Sequence, residues 1–294
     1  MKHSLLIFVC FLITSCQPEQ HEALINKTPE VDERVIYGED NRKDLYEVTN
    51  PLQKKLADST VALIKSARIT ERATTSIITA KTFKENYNLC SSEPFGEQEN
   101  AGFCSGVLVA KDIIATAGHC MRSLYDCQAS KFVFGYALKT KSRQPREISN
   151  SEIYSCKEII YSEILDTGSD FALIRLDRAV LNHAPAAIRR SGTIQTGEPL
   201  VVIGHPLGLP TKIAAGARVR TNSPTDFFVA NLDTYGGNSG SAVFNATTGV
   251  MEGILVRGES DFVERGECIV SNRCKESECR GEDVTRVIRF LRFL

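Results

Sequence analysis

Three short segments carry residue types that can do chemistry together. In "GFCSGVLVAKDIIATAGHC" a strand-like run ends on His119, and Cys120 follows at once. In "TGSDFALIRLD" Asp170 stands immediately before an apolar run, and in "LDTYGGNSGSAVFN" Ser239 lies between Gly-Asn and Gly-Ser before another such run. A serine hydroxyl is a weak nucleophile until an imidazole takes its proton. The imidazole in turn needs a carboxylate to fix its tautomer and stabilise its cation. Glycines beside the serine clear the approach of a carbonyl substrate and permit a tight turn whose N–H groups can bind an oxyanion. Taken singly, each residue also has a plain reading: a core or surface histidine, a strand boundary, a turn.

In this order the segments closely resemble the chymotrypsin-like serine peptidases. "TAGHC", "DFALIRL" and "GGNSGSAVF" match that family's His, Asp and Ser motifs, and the resemblance covers most of residues 35–294. It implies that Ser239 is the nucleophile, His119 the general base and Asp170 the orienting carboxylate, with Gly237 and Ser239 supplying the oxyanion-hole N–H groups. It also implies an all-β fold of two packed antiparallel β-barrels, His119 and Asp170 on the first and Ser239 on the second. The family's bridge beside the catalytic histidine would be Cys104–Cys120. Digestive-type relatives carry Asp immediately before the nucleophile, where it binds a new N-terminal amine; here that residue is Asn238. Asn238 is similar to the bacterial glutamyl endopeptidase branch instead, as is "RVIYGEDNR" at residues 34–42, which looks like the start of a mature chain. Processing between Arg34 and Val35 is therefore expected, without the amine–Asp switch.

Specificity is less determined. Asp233 precedes Ser239 at the offset where trypsin-type members carry the carboxylate that binds Arg or Lys, so it is the candidate substrate-binding residue by charge-assisted hydrogen bonding. Asp233 facing a structural partner, or pairing with Arg257, would remove that attraction. The glutamyl branch places a histidine on the pocket wall, and the matching position here is Leu255. Cleavage after Arg or Lys is the working expectation.

The elements that must position these groups are short. Runs such as "TVALIKS", "SGVLVA", "DIIATA", "FALIRL", "PLVVIG" and "VMEGILV" are rich in Val, Ile, Phe and Thr and are bounded by turn residues, as in β-sandwiches and barrels. The last segment, "EDVTRVIRFLRFL", reads differently. Val284, Val287, Ile288 and Leu291 fall at helical spacing, with acidic residues first and arginines last, and a C-terminal α-helix is expected there.

The chain has 294 residues, 42 % hydrophobic and 24 % charged, with net charge −1. That is ample apolar material for a core, and no global field favours nucleic acid. Of ten cysteines, Cys10 and Cys16 fall in the first sixteen residues, leaving eight dispersed ones. An even, dispersed set points to disulfides and an oxidising compartment. The run Cys268, Cys274, Cys279 has metal-like spacing without a nearby histidine, and a crosslinked loop is the better reading. Pairing of Cys90, Cys127, Cys156, Cys268, Cys274 and Cys279 is not derivable from spacing.

"MKHSLLIFVCFLITSC" has a charged start and an apolar run too short to span a bilayer, which is an export signal. Its end resembles the lipobox of bacterial lipoproteins, implying cleavage before Cys16 and its acylation; a plain cleaved signal is the competitor. The expected organisation is a signal over 1–16, a polar tether or propeptide over 17–34, and a peptidase domain over 35–294. The expected location is the bacterial outer membrane, or the periplasm or exterior after processing. The protein is expected to be a monomer acting on proteins or peptides, with no metal or organic cofactor and no nucleic-acid partner. The rival reading is a catalytically silent binding protein on the same two barrels. An esterase is weaker, because those hydrolases present the serine in Gly-x-Ser-x-Gly at a strand–helix turn.

Overall fold

The computed structural model describes residues 35–294; the expected signal, Cys16 and the 17–34 tether lie outside the described residues. Twelve strands make two barrels. The first contains β1 (Thr60–Lys65), β2 (Gly102–Ala110), β3 (Ile113–Thr116), β4 (Ser130–Phe134), β5 (Ile153–Ile164) and β6 (Asp170–Leu176). They close in the order β5-β6-β3-β2-β1-β4, with every neighbour antiparallel. The second contains β7 (Pro199–Gly204), β8 (Lys212–Thr221), β9 (Phe227–Ala230), β10 (Ala242–Asn245), β11 (Met251–Arg257) and β12 (Glu282–Arg286). Its order is β7-β10-β11-β12-β9-β8, and β8 pairs back with β7 to close the ring.

The period-two alternation of strands explains how the barrels pack. In β7, Leu200 and Val202 join the interior of the second barrel. Their neighbours Val201 and Ile203 belong to a larger cluster shared with Val61, Leu63, Leu108 and Ile174 of the first barrel. β11 repeats the rule: Leu255 faces the barrel interior, whereas Ile254 and Val256 face the shared cluster. Each such side chain, fully buried, stabilises the fold by roughly 1.5–3 kcal/mol relative to exposure.

The expected C-terminal helix is not formed. Residues Glu282–Arg286 are a strand, all five buried, and two 3-10 turns follow at Val287–Arg289 and Leu291–Phe293. The reason is closure. β12 lies between β9 and β11, pairing Phe228 with Val284 and Leu255 with Val284, and without it the second barrel would keep two open edges. The helical spacing of Val284 and Val287 is overridden by that tertiary demand. The chain end then folds back on the first barrel, where the Phe293 ring stacks on Tyr161 at 3.9 Å between centroids.

Among the described residues four disulfides are present: Cys104–Cys120, as the resemblance implied, with Cys90–Cys268, Cys127–Cys156 and Cys274–Cys279. The Cys268–Cys279 region is thus crosslinked rather than a metal knuckle.

Candidate active site

β3 ends at Thr116, and a single 3-10 turn at Gly118–Cys120 follows, carrying His119 out of the sheet. Asp170 opens β6, the neighbour of β3, so the barrel register brings the two together. The His119 Nδ1 to Asp170 Oδ2 distance is 2.6 Å, and the His119 backbone N–H donates to Asp170 Oδ1 at 3.1 Å. One carboxylate therefore fixes both the ring and the backbone of the same histidine. Asp170 is itself 3 % exposed, and its N–H donates to Thr285 Oγ1 of β12 at 3.1 Å, a bond from the other barrel. The absence of a side chain at Gly118 is required here, since a Cβ would lie 2.9 Å from Asp170 Oδ1 and 2.5 Å from the Glu163 carbonyl.

Ser239 precedes β10 in a turn that the first barrel touches directly. The Ser105 N–H donates to the Ser239 carbonyl at 2.9 Å, and Ser105 Oγ donates to the Gly237 carbonyl at 3.0 Å. Cys120 Sγ lies 3.8 Å from the same Ser239 carbonyl, while a His119 ring nitrogen is within 4.8 Å of the Cys104 and Cys120 sulfurs. The Ser239 backbone thus sits against the disulfide that flanks the imidazole. Those sulfurs are joined to each other, so this grouping has no thiolates to offer a metal. Gly237 has φ +72°, a left-handed value that shapes the turn and that a side chain would strain. On the far side, Gly240 N–H donates to the Leu255 carbonyl at 2.7 Å and ties the turn to β11.

Asp233 has a different place from a pocket floor. Its Oδ1 accepts the Tyr37 N–H at 2.8 Å and its Oδ2 the Asn41 N–H at 2.9 Å, with the residue 4 % exposed. Burial pushes its carboxyl up to about 6, against the pull of those two amide bonds. The structural-partner alternative is the one realised. Arg257 is not its partner: Arg257 Nε pairs with Asp283 at 3.2 Å, and its terminal nitrogens donate to the carbonyls of Leu165 and Gly168, just ahead of Asp170. Leu255, at the position expected for a wall histidine, points into the second-barrel core. Beside Arg257, a cavity of about 420 Å³ is lined by Asp166, Phe227, Gly258, Glu259, Arg280 and Asp283.

Several supporting residues had no sequence signal. Ser105 is fully buried, and besides its two bonds to the turn its Oγ accepts the His205 N–H at 2.8 Å. His205 is wholly buried, with Nδ1 3.0 Å from the Leu209 carbonyl; burial pushes its pKa down to about 4, leaving it neutral. Asp261 accepts the Gly236 N–H at 2.8 Å. His183 stacks on Phe134 at 4.4 Å and bridges Asp58 and Glu152.

Residues 104–254 match the model of the trypsin-like peptidase domain. The chain belongs to that family of serine peptidases. Its fold is similar to the solved structure of a Glu endopeptidase in complex with MPD: TM-score 0.52, 19 % identity, covering 88 % of this chain and 97 % of that one. No curated protein matches the chain significantly.

Proposed function

We propose that the protein is an exported serine endopeptidase that hydrolyses peptide bonds through an acyl-enzyme on Ser239. The observation that carries this reading is the double grip of Asp170 on His119, at 2.6 Å to the ring and 3.1 Å to the backbone, beside the Ser239 turn. His119 takes the Ser239 proton as the hydroxyl attacks the carbonyl carbon. Asp170 holds Nδ1–H and stabilises the imidazolium, and the proton passes to the leaving amine when the peptide C–N bond breaks. Between attack and cleavage, the N–H groups of Gly237 and Ser239 stabilise the oxyanion of the tetrahedral intermediate. Water, activated by the same imidazole, hydrolyses the ester and restores the serine.

Cleavage after Arg or Lys is the proposed specificity; Asp233, committed to the Tyr37 and Asn41 amides, does not supply it. Glutamyl specificity is not supported by Leu255. The four disulfides fit an oxidising compartment. Chromogenic peptides ending in Arg, Lys or Glu test the reading: the Arg and Lys peptides are expected to be cleaved and the Glu peptide not, with all turnover lost in Ser239→Ala. Turnover that survives Ser239→Ala would refute it.

A further inference from the structure

The run Asp233–Ser239 leads straight into the turn, yet its first half is held by a segment from the other end of the described chain. Residues 35–42 lie along it. The Thr234 N–H donates to the Val35 carbonyl at 3.4 Å, and Asp233 accepts from Tyr37 and Asn41. Arg42, 4 % exposed, places its guanidinium 3.8 Å over the Tyr235 ring and donates to the Tyr235 hydroxyl at 2.8 Å. The segment is fastened from behind as well: Ile36–Tyr37 pairs in parallel with Arg273–Cys274, and the Gly38 N–H donates to the Cys274 carbonyl at 2.8 Å. Val35 and Ile36 are fully buried and Tyr37 nearly so. Residues 233, 234 and 235 are therefore each bonded to this strap, and the Asn238 N–H then donates to the Tyr235 carbonyl at 3.1 Å, passing the constraint into the turn.

We infer that Asp233 is a positioning residue, which latches the 35–42 strap and thereby sets the Gly237–Ser239 turn, without needing a free amine at Val35. The second half follows from which groups are used. Asp233 binds the N–H groups of residues 37 and 41, and Thr234 binds a carbonyl, all internal to the chain and present whether or not it is cut after Arg34. Activation through a new terminal amine would need an acid poised for that amine. Here the residue before Ser239 is Asn238, whose Oδ1 accepts from Ser241 Oγ at 2.9 Å.

The inference rests on Ser239 being the reactive serine, so its test includes a readout that does not. Amide hydrogen exchange is followed across peptides 35–42 and 233–240 in the full chain, in Asp233→Asn and in Arg42→Met, alongside kcat and KM on an Arg peptide. Both variants are expected to lose protection in the two peptides together while the first-barrel strands stay protected. In Asp233→Asn, kcat should fall about tenfold, the loss of roughly one charge-assisted hydrogen bond, with KM within about threefold. Arg34→Gln, uncut at that bond, should keep full protection across 233–240. Unchanged exchange at 233–240 in Asp233→Asn overturns the inference. So does a large rise in KM at unchanged kcat, which would make Asp233 a substrate-binding carboxylate, or lost protection in Arg34→Gln. If no chain turns over substrate, the exchange result still decides the strap, and the catalytic reading fails separately.

Discussion

In the first barrel the proposed reactive groups are side chains at strand ends. His119 follows β3, Asp170 opens β6, and adjacent strands deliver them to each other at 2.6 Å. In the second barrel the corresponding half is a backbone turn. Its conformation is set by Ser105 from the first barrel, Asp261 from a distant loop and the 35–42 strap. The first half is set by strand register within one barrel, with one bond to Thr285 of β12, and is stiffened by Cys104–Cys120, which spans 16 residues. The second half depends on contacts nearly 200 residues apart, such as that of Tyr37 with Asp233. The proposed site can therefore lose the conformation of its Gly237–Ser239 turn while its His–Asp pair stays intact, and the two halves should fail differently.

The largest expected effect lies in the first half. Asp170→Asn keeps the shape but removes the acceptor that fixes the His119 tautomer, and kcat should drop on the order of 10⁴-fold with melting little changed. Next comes the long-range tie. Cys90–Cys268 links positions 178 residues apart, and replacing both cysteines with serine should lower the unfolding free energy by about 5 kcal/mol in the chain-entropy view, read by denaturant titration. Ser105→Ala removes the hydroxyl's bonds to the Gly237 carbonyl and from the His205 N–H but leaves the Ser105 N–H on the Ser239 carbonyl. Here kcat should fall roughly tenfold at constant KM, the equivalent of about one buried hydrogen bond. An equal loss in KM would place Ser105 in substrate binding and blur the contrast between the halves.

The smallest effect is a pH dependence on the outside of the first barrel. Burial pulls the His183 proton affinity down, but its hydrogen bonds to Glu152 and Asp58 outweigh that and leave its pKa raised above the ordinary 6.5. A group raised in the folded state stabilises fully below its unfolded pKa, and that contribution disappears as pH rises through the folded value. His183→Gln should thus destabilise the protein more at pH 5.5 than at pH 9, as seen by melting at both. The same cost at both pH values would show the Phe134 stacking, not the charge, to be what matters.

What the sequence made legible follows the same division. His119, Asp170 and Ser239 each stand at the border of an apolar run, and strands of period two announce themselves through Val, Ile and Phe. Asp233 was visible but ambiguous, because spacing along the chain cannot say whether a carboxylate faces a cavity or a backbone amide. The partners at Tyr37 and Asn41 come from across the fold, and a backbone N–H has no residue signature. β12 was misread for a related reason: its helical spacing is local, whereas the need to close a ring between β9 and β11 is not. Ser105 and His205 look like ordinary polar residues, and only burial gives them meaning.

The most direct test of the account is covalent. A fluorophosphonate probe is expected to add to the full or processed chain at one residue, Ser239, and the mass shift on its peptide should vanish in Ser239→Ala and in His119→Ala. Failure of the folded, processed protein to react, or reaction at a different serine with Ser239 untouched, would contradict the claim that these three side chains work as one unit.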